Sequence, residues 1–215
     1  MKDRLERFGL LAGGLAGVLW VIALFLLEGA GNPSDPNSGA EIVEFYRDER
    51  GMILVAATVH GLGGFLFLWF VAAVRAVLGT LAVPAWLTAA TVIGGTAGGA
   101  MMLGMMGGQS AGATTDKELL SPDTAIVFWR LAHVFFVAAE LALAVFVGAL
   151  AILALRRLAL TRWLGWFGLV VTGLLLIPPV GWIAVLFLFP LWLVATSVVL
   201  WRSEPQRPEV AVTVG

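Results

Sequence analysis

The chain has 215 residues, 60% of them hydrophobic and 13% charged, with a formal net charge of −1, 26 Gly and no Cys. A water-soluble surface needs ~25–35% Lys, Arg, Glu and Asp on its exposed shell, which this chain does not have, and the near-neutral balance excludes a basic nucleic-acid binder. The lack of Cys removes disulfides, thiolate zinc sites, iron–sulfur clusters and c-type haem, and neither a Walker phosphate loop nor a His-Glu-x-x-His motif occurs.

The composition predicts an all-α, polytopic membrane protein: a six-transmembrane-helix bundle over residues 1–202, with a flexible cytoplasmic tail at 203–215. Crossing the hydrocarbon core takes about 20 apolar residues, and the first such run, 8–27, follows Lys2, Arg4 and Arg7. Its length, and the absence of a small-x-small cleavage site after Glu28, mark a retained helix rather than a signal peptide. Gly9, Gly13 and Gly17 recur at i, i+4 on this helix and predict a close-packing face. The loop 29–50 opens with turn residues. Ser38 and Glu41 then have capping-box spacing, and Ile42, Phe45, Tyr46 and Glu49 follow at helical spacing. This predicts a short amphipathic helix on the outer membrane face, with a lid over an outward-facing cavity as the alternative.

Further spans are expected at 52–74 and 82–106, the latter with small residues at Gly94, Gly98 and Gly104 for helix contact. Met101, Met102, Met105 and Met106 form two i, i+4 pairs; thioethers accept Cu(I), and Met is also an ordinary flexible filler beside small residues. The fourth span, 122–155, starts at Ser121-Pro122-Asp123 and is over-long, about 50 Å at the helical rise. The fifth, 163–179, is short because Pro178-Pro179 stops it, and the sixth, 181–201, carries Pro190 in its interior. Nine Lys and Arg fall on the side of both termini and four on the other: Arg47, Arg50, Lys117 and Arg130. The positive-inside rule then predicts a multi-pass protein of the inner (plasma) membrane with both termini cytoplasmic.

Ionisable groups within spans are costly and are functional hypotheses by default. His60 and His133 are the only histidines, and Arg130, His133 and Glu140 are spaced 3 and 7 residues apart on one helix, as a polar stripe. Counting from the outer helix ends puts His60 level with His133; counting from the cytoplasmic ends puts it level with Glu140. Four readings compete for these residues. They form a small-ligand or proton-handling site, as in a transporter; they ligate a b-type haem through His60 and His133, with Gly61, Gly63 and Gly64 making room; they hold helices together or bind a partner membrane subunit or second copy; or they serve a membrane-embedded enzyme. The bilayer is the one certain partner.

The segments Arg162-Trp163-Leu164-Gly165-Trp166-Phe167-Gly168, Phe189-Pro190-Leu191-Trp192 and Phe45-Tyr46-Arg47-Asp48 resemble a group of small bacterial six-helix integral membrane proteins of unknown function, classed only as a domain of unknown function. The resemblance implies the bundle and brings no activity, cofactor or site residue with it.

Overall fold

The computed structural model describes residues 2–116, 118–156 and 160–202, with 2–7 as backbone only. Lys117, Arg157 and the tail at 203–215 lie outside the described residues. Every regular element among those described is helical: α1 Lys2–Ala30, α2 Gly39–Asp48, α3 Arg50–Leu78, α4 Ala85–Thr114, α5 Pro122–Leu155, α6 Arg162–Leu175, α7 Pro178–Ile183 and α8 Phe189–Arg202. A π-helical turn, Ala184–Leu188, joins α7 to α8. Five of the helical segments are long and apolar enough to cross a membrane, counting Pro178–Arg202 as one; α6, with 14 residues, is shorter.

Neighbours in sequence pack as neighbours in space. α1 packs on α3, α3 on α4, α4 on α5 and α5 on α6; α6 touches α8, which returns to α1 and closes a ring. The end where α1 begins and α8 finishes is called basal here, and the opposite end apical. Glycines let the backbones approach. A methyl on Gly94 would come within 2.6 Å of the Phe146 amide nitrogen, and one on Gly98 within 2.6 Å of Leu143 Cδ2. Gly9 meets Ala73, and Gly13 meets Phe70 and Ser197, so the small-residue faces of α1 and α4 both lie at helix contacts.

The interior between these helices is filled by aromatic rings. Phe67 is fully buried, with its ring 5.1 Å from Trp20, 5.4 Å from Phe146 and 5.9 Å from Phe189. Two indole N–H groups are satisfied by helix carbonyls: Trp20 donates to His60 O at 3.3 Å and Trp192 to Leu164 O at 3.2 Å. Each indole lies against a glycine of the helix it bonds, Trp20 against Gly63 and Trp192 against Gly168. Outward-facing side chains are apolar, including Phe25, Phe65, Ile93 and Val134, as a lipid-facing wall requires.

α6 stops at Leu175, and Pro178-Pro179 open the next helix instead of closing this one. Proline is tolerated in the first helical turn, where its missing N–H has no partner to lose. Further along, Pro190 offers no N–H to Leu186, its partner four residues back. The chain widens before it, and the Phe189 N–H donates to Ala184 O five residues back.

α2 lies at the apical end. Ser38 caps it by accepting the Glu41 N–H at 3.5 Å, but the Glu41 carboxylate bonds the Asp35 N–H at 2.8 Å and the Ser34 hydroxyl, so the reciprocal half of the capping box is not made. Its apolar side is buried on the bundle. Gly39 abuts the Pro122 carbonyl, Tyr46 lies over Gly112, and Phe45 meets Trp129 edge-on at 5.8 Å. The Tyr46 hydroxyl is buried with no hydrogen-bond partner, and burial pushes its phenol above the ordinary range. Tyr46→Phe is therefore expected to keep or raise the melting temperature, since an unpaired buried hydroxyl costs about 1–3 kcal/mol; a clear fall in a thermal melt would mean that the hydroxyl has a partner.

Candidate functional site: a polar cavity in the apical half

The short α6 creates an opening. Glu140 lies 15 residues before Leu155, about 22 Å along α5, whereas the whole of α6 is about 20 Å long. Above that level α6 no longer flanks α5, and a cavity of about 630 Å³ lies between α1, α3, α4, α5 and the α7 segment. Trp20, His60, Glu140 and Pro190 line it deep in the bundle, and the exposed Glu28 and Asn32 line it where α1 ends. The volume falls in the range of small-molecule sites, ~300–1,000 Å³.

Its polar groups are few, and three buried ones leave atoms unpaired. Glu140 is fully buried, and neither carboxylate oxygen has a hydrogen-bond partner. The carboxylate lies against Gly181, where a methyl would come within 2.8 Å of Oε1 and the carboxylate would have to shift. His60, 5% exposed, is the sole residue of α3 in the lining and leaves Nε2 unpaired. Gln109 on α4 is buried with Oε1 unpaired. His133 lines the same cavity but is exposed, because it stands about 10 Å further along α5, beyond the end of α6.

His60, His133 and Glu140 thus share one cavity, and Arg130 does not. Arg130 is exposed and absent from the lining. The reason is angular. A spacing of 7 residues falls only about 20° short of two full turns, but the additional 3 residues bring Arg130 to about 80° from Glu140. Room for a haem beside His60 is taken on two sides, since Trp20 fills the space over Gly63 and Leu103 that over Gly64. Met102, Met105 and Met106 line the cavity wall. Among the described residues, no three His, Asp or Glu side chains group closely enough to hold a metal ion. α2 contributes no side chain to the lining; it seals the corner between α4 and α5 instead.

Gln109 and Trp20 did not stand out in the sequence. Gln109 lies beyond the apolar run that ends at 106, yet α4 continues to Thr114 and carries it into the cavity. The one signal for it was that it is the only Gln before the tail. No family model, no curated protein and no solved structure matches the chain.

Proposed function

We propose that this is a six-pass protein of the inner membrane, with both termini cytoplasmic, whose outward-facing half binds a small, predominantly apolar molecule. One observation carries the binding reading: the cavity beside the short α6, walled by Trp and Met and holding Glu140, His60 and Gln109 with unpaired polar atoms. Groups that only hold helices together would be paired to each other, because an unsatisfied buried polar atom costs free energy and contributes nothing to packing. The excess of Lys and Arg flanking the basal end supports a cytoplasmic basal face. The exposed Trp86, Trp163, Trp166 and Trp201 at that end suit an interfacial belt. On this reading α6 is the fifth of six passes, spanning with help from its flanks or from local thinning of the bilayer, and α2 rests at the outer interface. The resemblance to small six-helix bacterial membrane proteins agrees with the topology and is silent on the ligand.

A chain without cysteine allows a direct test. In intact cells, a charged, membrane-impermeant thiol reagent is expected to modify Val137→Cys, in the cavity wall, and Asn37→Cys, before α2. It should leave Leu143→Cys untouched in the packed half and reach Ser203→Cys only after permeabilisation. Modification of Ser203→Cys in intact cells would overturn the orientation, and failure to modify Val137→Cys would overturn the cavity.

A further inference from the structure

The charge and donor balance of the cavity specifies more than the size of its occupant. Four titratable side chains line it, Glu28, His60, His133 and Glu140, and no Lys or Arg does. Two of these four are carboxylates. Glu140 is the deeper of the two, fully buried with both oxygens free. The same cavity is lined by the rings of Trp20, Trp129, Phe136 and Trp182, whose faces carry negative quadrupole potential and attract cations within about 6 Å.

The backbone of the lining residues Val185 and Leu186 is irregular. Val185, also in the lining, would bond the Phe189 N–H in an α-helix, but that N–H goes to Ala184 O; the residue five positions on is Pro190, which has none. The carbonyls of Val185 and Leu186 have therefore lost their regular helical donors. The approach to the cavity is acidic as well. In the sequence, nine carboxylates from Glu28 to Asp123 fall on the segments of the apical side against four Lys and Arg, a balance that favours cations near that end. A deep free carboxylate, aromatic walls and an acidic approach share one complement.

We propose that the cavity is a site for a monovalent organic cation, an ammonium group carried on an apolar body, with Glu140 as its counter-ion and the tryptophan rings as its walls. This rests on the small-molecule reading above and adds the sign of the charge to it. The cation supplies the partner that both oxygens of Glu140 lack, and the apolar body covers the Trp and Met side chains. A side chain at position 181 would displace the carboxylate from its present place in the cavity.

The test uses the full chain in detergent with the Val137→Cys reporter, and measures how far a ligand slows modification of the introduced thiol by the neutral reagent methyl methanethiosulfonate. Three aromatic probes of comparable size differ in charge: benzyltrimethylammonium, its neutral carbon isostere neopentylbenzene, and the anion benzenesulfonate. Benzyltrimethylammonium is expected to protect at the lowest concentration and benzenesulfonate not at all. In Glu140→Gln the half-protecting concentration of the cation should rise by about tenfold or more, while that of neopentylbenzene stays where it was. Glu140→Asp should keep the order of the three probes, and that order in the Glu140-intact protein decides the matter even if Glu140→Gln proves unstable. Equal protection by cation and neutral isostere, unaltered in Glu140→Gln, overturns the cation assignment and leaves the cavity standing. Protection by none of the three overturns the binding reading together with it.

Discussion

Gly94→Leu is expected to prevent recovery of folded, monodisperse protein from detergent, while Gly107→Ala on the same helix leaves the melting temperature unchanged or raises it. The contrast follows from what each position faces. A methyl on Gly94 would come within 2.6 Å of the Phe146 amide nitrogen and 2.9 Å of the Ala142 carbonyl oxygen, both backbone atoms of α5. Side chains can turn aside to accommodate extra volume at about 1–3 kcal/mol; a backbone can do so only by moving its helix. α4 and α5 form the most extensive helix pair in the bundle, so separating them opens the wall that carries Met102, Gln109 and Glu140. A methyl on Gly107 would have nothing within 4 Å, and there alanine brings only its better helix propensity, up to about 1 kcal/mol. Thermal melts by size-exclusion chromatography would measure both. An unchanged melt for Gly94→Leu would mean that α4 meets α5 through a different face.

Phe67→Ala is expected to destabilise the bundle by about 3 kcal/mol, the lower end of the ~3–5 kcal/mol seen for buried Phe to Ala, whereas Phe65→Ala changes little. The two residues sit on opposite faces of α3. Phe67 is fully buried at the meeting point of Trp20, Phe146 and Phe189, and Phe65 is 59% exposed on the outer wall. In a bilayer the unfolded reference is solvated by lipid, so the gain from leaving water falls away. What remains is the dispersion lost around the void, which places the expectation at the low end of the range. The same void would sit directly beneath the cavity and free Trp20 to shift, so Phe67→Ala should also weaken any ligand protection of the Val137→Cys thiol. Equal melts for Phe65→Ala and Phe67→Ala would show that the aromatic cluster is not the structural floor of the site.

The features that reading the residues in order recovers are the local ones. An apolar run long enough to span, a proline pair that marks a helix boundary, and glycines at i, i+4 depend only on spacing along one chain segment. For that reason the helical class, the shortness of α6 and the contact faces of α1 and α4 were all legible. Helix ends were less so, since hydrogen bonding along the backbone continues past the point where apolar residues stop. α4 runs to Thr114 rather than ending near Met106, and this alone brings Gln109 into the site. The polar stripe of α5 was legible as three residues but not as two members and an outlier, because rotations of about 60° and 20° add up with distance along the helix.

The site itself belongs to the tertiary structure. That α6 ends level with Glu140, so that a gap opens above it, is a relation between two helices joined through residues 156–161 and appears in neither alone. Likewise, Gly63 reads as open space beside His60 until Trp20 of α1, 43 positions earlier, occupies it. Gly181 reads as one small residue near a proline pair until the Glu140 carboxylate is placed against it. Composition and periodicity specify which side chains must leave water and roughly at what depth. Which of them meet is decided by the rotation of each helix about its axis, and that rotation is set by close packing with partners far away in sequence.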